Sequence, residues 1–215
     1  NTARILRGIN FDIAVGIKGG FSSYLAAATF LSRAPYRVGY ISDRFHPMEL
    51  LYNLPIIKGA EVKHQVEQCL DLLAPIGITP DKFVRDISLE IPEESKIRIR
   101  NFLVAKGINP VGDMIAVLNI SNNSPDATWP LENFIELTKR LQGNRIKCII
   151  TSAPSDFANA KRLAEASSVD KASAFFLRTT DIMDFAAAAG YGKMLICHDS
   201  GAMHIGAGAG TKTLV

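Results

Sequence analysis

The stretch Met114–Ser152, MIAVLNI SNNSPDATWP LENFIELTKR LQGNR IKCIITS, decides the fold. It opens on an apolar run, Met114 to Ile120, and closes on a second one, Ile146 to Ser152. Both suit strands buried on two faces. Between them, Leu131, Phe134, Ile135, Thr138 and Leu141 recur at helical spacing, which predicts an amphipathic helix over Thr128–Leu141. Pro130 falls in its expected first turn and Gly143 just past its end. Two strands joined by a helix are expected to run parallel, because a crossover of this length is what parallel neighbours need.

The same rhythm continues downstream. Ser155 is placed to cap a helix ending near Ala166, and Ala172–Leu177 reads as a strand. Thr180 is placed to cap a helix over Asp181–Ala189, and Lys193–Cys197 reads as a strand. Ser200 is placed to cap one more helix, and Thr211–Val215 begins another strand. Alternation of this kind predicts a parallel sheet covered on both faces. Such sheets take ligands beyond the carboxyl ends of their strands. The loops after Ile120, Ser152, Leu177 and Cys197 are therefore expected to form one rim.

Upstream, Asp12–Ile17 and Arg37–Ile41 read as strands and Ser22–Leu31 as a helix. Val62–Ala74 has helical spacing, stopped by Pro75 and Gly77, with Glu61, His64 and Glu67 on a solvated face. Thr79–Pro92 reads as a connector and Glu93–Ala105 as a polar helix, ended by Gly107 and Pro110. This organisation predicts two domains, 1–108 and 109–215. The chain begins at Asn1 rather than Met and stops at Val215 inside a strand pattern, so both natural ends are expected to be missing.

Composition narrows the function. The 215 residues are 47% hydrophobic and 21% charged, with a net charge of +3, an ordinary globular balance that suits an anionic ligand. There is no dense Lys/Arg block, so nucleic acid is not an expected partner. No apolar run reaches the roughly 18 residues of a membrane span, and no signal peptide is visible. The three cysteines, Cys69, Cys148 and Cys197, form no Cys-x-x-Cys pair, and reduced thiols in a cytoplasmic protein are expected. No metal or cofactor is expected: His46, His64, His198 and His204 show no ligand spacing on one helix.

The sharpest local feature is Cys197-His198-Asp199-Ser200-Gly201-Ala202-Met203-His204, where a strand meets a helix. A helix start carries unpaired N–H groups and partial positive charge, a natural phosphate site. Gly201 would let a phosphate approach the backbone, and the Ser200 hydroxyl can cap the helix or donate to phosphate. Asp199 is better placed to accept hydrogen bonds from sugar hydroxyls. A plain Asp/Ser helix cap with no ligand fits the same residues. Asn122, Asn123 and Ser124 can bond phosphate or ribose oxygens, or simply shape a turn. Asp156 can accept ribose hydroxyls, and the backbone at Thr179 and Thr180 can meet a base edge. The downstream run Gly206–Lys212 is neither a P-loop nor a dinucleotide fingerprint, because its glycines follow a helix start at G-x-G-x-G spacing. Tight helix packing explains it, and an oxidoreductase domain is disfavoured.

These residues resemble glycosyltransferase family 9, the heptosyltransferases. The resemblance rests on Asp199-Ser200-Gly201-x-x-His204 followed by Gly210-Thr211-x-Thr213, on the strand, polar loop and Trp129-Pro130 of Leu118–Pro130, and on the Ala160–Glu165 helix. Weaker matches run from Phe11-Asp12 through Arg37-Val38-Gly39 to Leu70–Ala74. The family implies a GT-B architecture, two Rossmann-like α/β domains facing a cleft, with the acceptor on the N-terminal side and the nucleotide sugar on the C-terminal side. It implies inverting, metal-independent transfer of a heptose or related sugar from an ADP-sugar to a lipopolysaccharide core or other saccharide acceptor. It also implies a cytoplasmic enzyme, with peripheral contact at the inner face of the inner membrane. By the same resemblance, Ser200 and Gly201 hold the pyrophosphate, Asp199 the sugar, Asp156 the ribose and Thr179 the base, while His204 supports the turn or reaches the phosphates. Two positions depart from the pattern. Ala127 stands where the family has a Lys two residues before the Trp, and no Gly-Asp segment supplying the family's general base precedes Asp12. The base is therefore expected outside this chain, and the piece alone is expected to be inactive. A non-catalytic nucleotide-sugar-binding relative is the alternative.

Overall fold

The computed structural model describes residues 2–59, 61–79, 87–167 and 174–215. The chain divides into two compact units, Asn1–Arg85 and Asp86–Val215. The division falls upstream of the expected boundary at residue 108, because the helix Glu93–Ala105 buries Ile99 and Leu103 in the core of the second unit. Residues 80–86 of the expected connector, and 172–173 at the start of the strand expected from Ala172, lie outside the described residues.

The first unit carries a parallel sheet of β1 (Ile13–Gly16), β2 (Tyr36–Ile41) and β3 (Leu54–Ile57), in that order. Its helices are α1 (Thr2–Gly8), α2 (Ser23–Leu31) and α3 (Gln65–Asp71). β3 is not legible from pattern, because Pro55 interrupts a four-residue run; it lies on a sheet edge, where a missing N–H is tolerated. α3 is shorter than expected. It starts after His64, whose Nδ1 accepts from the Val66 N–H at 3.3 Å, so Glu61 does not share its face. The core is small: Val38, Tyr40 and Leu72, with Val15, Leu54 and Ile56 against it. Gly39 has a packing reason, since a Cβ there would lie 2.2 Å from Tyr52 Cζ.

The second unit holds five parallel strands in the order β6-β5-β4-β7-β8: Ala174–Phe176, Lys147–Thr151, Ile115–Asn119, Met194–Cys197 and Thr213–Leu214. Helix α4 (Glu93–Ala105) precedes them, and α5 (Leu131–Gly143), α6 (Phe157–Ser167), α7 (Ile182–Tyr191) and α8 (Gly201–Gly208) connect them. All of β4 is buried, and its side chains alternate between two cores. Ile115 and Val117 join Ile99, Leu103, Phe185 and Leu195 under α4 and α7. Ala116 and Leu118 join Phe134, Leu163 and Ile150 under α5 and α6. The sheet is thus covered on both faces, which is why its strands read as unbroken apolar runs.

Helix starts differ from expectation in detail. Pro130 occupies the N-cap position of α5 rather than its first turn, and Gly143 is the last helical residue; the left-handed position after it is Arg145, with φ 61°. Asp181, not Thr180, caps α7 by accepting from the Met183 N–H at 2.8 Å. Its backbone is extended immediately before the first turn, which brings the carboxylate back onto the free N–H groups. Ser155 lies inside a short 3-10 turn, Pro154–Asp156, that precedes α6.

Candidate functional site

Chain order reverses between β4 and β7: the chain passes from β4 outward to β5 and β6, then returns to the other side of β4. An open parallel sheet leaves a crevice at such a switch, beyond the carboxyl ends of its strands. A cavity of about 430 Å³ lies there. Its lining comes from the ends of four strands: Asn119 and Ser121 to Asn123 at the end of β4, Ser152 to Pro154 after β5, Thr179 to Ile182 after β6, and Ser200 to Ala202 after β7. Ile120 stays out of the lining because it packs into the core under α5 and α6. Phe185, Ile182 and Ile205 make part of the wall apolar.

The turn after β7 is open. Ser200 takes the N-cap position of α8 in an extended conformation, yet its side chain makes no capping bond. The Met203 N–H bonds the Ser200 carbonyl at 3.1 Å. Gly201 and Ala202 begin the helix, where N–H groups lack intrahelical acceptors. A Cβ built at Gly201 would meet nothing within 4 Å, so the backbone faces space. Farther along, a Cβ at Gly206 would lie 2.3 Å from Leu195 Cδ2, and Gly210 turns the chain with φ +77°. The glycines of this run therefore serve helix-on-sheet packing and a turn, as expected.

The loop after β4 is closed on itself. Asn122 Nδ2 donates to the Ala127 carbonyl at 2.9 Å, and its Oδ1 accepts from the Ser124 N–H at 3.2 Å. Thr128 Oγ1 donates to the Ser124 carbonyl at 2.8 Å. Ser121 ties this loop to the next: its hydroxyl donates to Asp156 Oδ2 at 2.7 Å and accepts from the Ala153 N–H at 2.7 Å. The loop's far end is held by His198, whose Nε2 accepts from the Trp129 N–H at 2.8 Å. His198 is 7% exposed and packs edge-on against Phe134, which in turn meets Trp129.

Of the residues singled out from sequence, Asn122, Asn123, Thr179, Ser200 and Gly201 line the cavity together. Asp199 and His204 are exposed and stand outside its lining. Asp156 borders a separate hollow with Ile120, Trp129 and Phe134, and its carboxylate also accepts from Ser155 Oγ at 3.2 Å. Sequence reasoning missed Ser121, Ser152 and His198. Their one local signal is a polar residue where an apolar strand ends. Asn119 and Thr151 share it, and they bond each other at 3.2 Å across β4 and β5.

The two buried thiols are not reactive groups. Burial pushes Cys148 up to about 12. Burial, reinforced by the Asp199 charge, pushes Cys197 up to about 11. Both therefore stay protonated near neutrality. Among the described residues no three His, Cys, Asp or Glu side chains come together as a metal site, and no helix is long and apolar enough to cross a membrane.

The family model described as glycosyltransferase family 9 (heptosyltransferase) matches residues 1–215. No curated protein matches the sequence. Among solved structures, the chain is similar to the glycosyl transferase family 9 from Veillonella parvula DSM 2008, with TM-score 0.77 and 20% identity, covering 99% of this chain and 60% of that one. It is similar to E. coli heptosyltransferase WaaC with ADP-2-deoxy-2-fluoro heptose, with TM-score 0.70 and 22% identity, covering 98% and 62%. It is also similar to E. coli ADP-heptose lps heptosyltransferase II, with TM-score 0.69 and 18% identity, covering 98% and 64%. The chain thus shares their parallel α/β fold and spans 60 to 64% of their lengths.

Proposed function

The chain belongs to glycosyltransferase family 9, and from that premise we propose that it carries the donor-binding side of an inverting, metal-independent glycosyltransferase. The donor is an ADP-activated heptose or related sugar, and the acceptor a lipopolysaccharide core or other saccharide. The observation that carries this reading is the open start of α8 beside a cavity at the strand-order switch. Family membership supports the ADP-sugar, and so does the similar WaaC, whose structure holds ADP-2-deoxy-2-fluoro heptose.

In this reading the diphosphate sits on Ser200 and Gly201, with the Ala202 N–H beside them. Transfer breaks the bond between the anomeric carbon and the diphosphate oxygen while an acceptor hydroxyl oxygen bonds the same carbon from the opposite face and gives its proton to a general base. Negative charge then gathers on the departing diphosphate. The N–H groups and positive pole of α8 stabilise it best at that moment, which lowers the barrier. Asp199, exposed just outside the cavity, accepts hydrogen bonds from the sugar hydroxyls. The Thr179 backbone meets the base, Asn122 and Asn123 flank the phosphates, and Asp156, whose carboxylate accepts from Ser121, ties together the loops beside the ribose. His204, one turn into α8, supports its start or reaches the phosphates. The enzyme works in the cytoplasm, at the inner face of the inner membrane, where its three free cysteines stay reduced.

Calorimetric titration of the full-length protein with ADP and ADP-heptose tests the reading, and a folded protein that binds neither ends it. The Asp199→Ala variant is expected to lose ADP-heptose affinity on the order of tenfold while holding ADP nearly as before. Equal losses for both ligands remove Asp199 from the sugar. Ala127, in place of the family's Lys, favours a second reading, a binding relative that no longer turns over. Product formation by the full-length protein excludes it.

A further inference from the structure

Ser152 stands out from every other group at the cavity. It follows the last residue of β5, is 4% exposed, and lines the cavity, yet its buried Oγ has no hydrogen-bond partner. A buried hydroxyl that has left water and found no partner is a net cost to the fold. Buried polar groups in folded proteins are nearly always satisfied, so such a group asks for an explanation. Its neighbours show that the region can satisfy polar atoms: Asn119, Ser121 and Thr151 are all bonded into a network at the same strand ends.

We propose that the Ser152 hydroxyl is a recognition group for the nucleoside of the bound nucleotide. This rests on the reading that a nucleoside diphosphate occupies the cavity with its phosphates at α8. The sheet sets the distance. β5 is two strands from β7, in the order β5-β4-β7. At a spacing of about 4.8 Å per strand, Ser152 lies about 10 Å from the phosphate end. That separation reaches past the phosphates and onto the nucleoside. The apolar part of the lining, Ile182, Phe185 and Pro154, suits a flat base or the carbon face of a ribose. A hydroxyl both donates and accepts, so Ser152 serves either a ribose hydroxyl or a base edge. Asp156 does not fill the same place, because its carboxylate bonds Ser121 and Ser155 and borders a different hollow.

The test compares Ser152→Ala with the unchanged full-length protein by calorimetry, using ADP and, at millimolar concentration, inorganic pyrophosphate. ADP affinity is expected to fall about five- to tenfold, the loss of one buried hydrogen bond, with pyrophosphate binding unchanged. The melting temperature of the ligand-free variant should stay level or rise, because no protein bond is removed. The assignment is overturned if ADP affinity is unchanged, if both ligands lose equally, or if the ligand-free variant melts lower, which would mean that the hydroxyl holds the fold. Absence of ADP binding by the unchanged protein is a different result: it removes the underlying reading, whereas unchanged binding by the variant removes only the role of Ser152.

Discussion

Two segments leave neighbouring strands at the same edge of the sheet and end differently. The loop after β4 turns its polar groups inward, with Asn122 and Thr128 bonding the backbone of Ser124 and Ala127. The turn after β7 does not: Ser200 makes no capping bond and Gly201 faces space. A segment that satisfies itself holds its shape without a ligand. A segment that leaves N–H groups open has something to offer one. In the proposed function the first is the frame of the site and the second is its grip, and His198 joins them by accepting from the Trp129 N–H.

The contrast can be broken experimentally. The largest effect is expected from Gly201→Asp, which places a side chain and a negative charge at the proposed diphosphate position. ADP affinity should fall on the order of a hundredfold, about 3 kcal/mol. Thermal stability should hold, since beyond its chain neighbours and the nearby backbone of its own helix the new Cβ meets no atom within 4 Å. A fall in melting temperature equal to that of a core mutation would show that the turn is structural. Next comes Ser121→Ala, which strands the Ala153 N–H and removes a donor to Asp156. A loss of about 1–2 kcal/mol in denaturant unfolding is expected, with a smaller loss of ADP affinity through loosened loops. If stability is untouched while binding collapses, the loop is grip and not frame. The smallest effect belongs to Asn122→Ala, which gives up two loop bonds at a partly exposed site. About 1 kcal/mol of stability and a few-fold change in ADP affinity are expected from the same two measurements.

Much of the second unit is legible in its sequence, and the legible parts share a cause. β4, β5 and β7 fall within a residue or two of their expected limits, because strands buried on both faces are apolar at nearly every position. The helix Glu93–Ala105 is legible as a helix but not as part of the second unit. Gly107 and Pro110 punctuate the chain locally, whereas the packing of Ile99, Leu103 and Ile108 into the core with Phe185 and Leu195 is a long-range fact. β3 is hidden by Pro55, whose tolerance depends on an edge position no local pattern reports. The starts of α6 and α7 escape a local reading because several polar residues compete at each, and backbone geometry selects among them.

Sequence by itself determined the alternation of strands and helices, the rim of four loops and the strand-to-helix turn at Asp199–Gly201, because periodicity and turn chemistry are local properties of a chain. Only tertiary structure decided which polar groups at that rim were already satisfied. In the sequence Asn122 and Asp156 are candidates to bond a ligand, and in the fold both are bonded to the protein; Ser152 reads as the end of a strand and is buried without a partner. Hydrogen-bond satisfaction is settled between segments far apart in the chain, and that is where this site's chemistry was assigned.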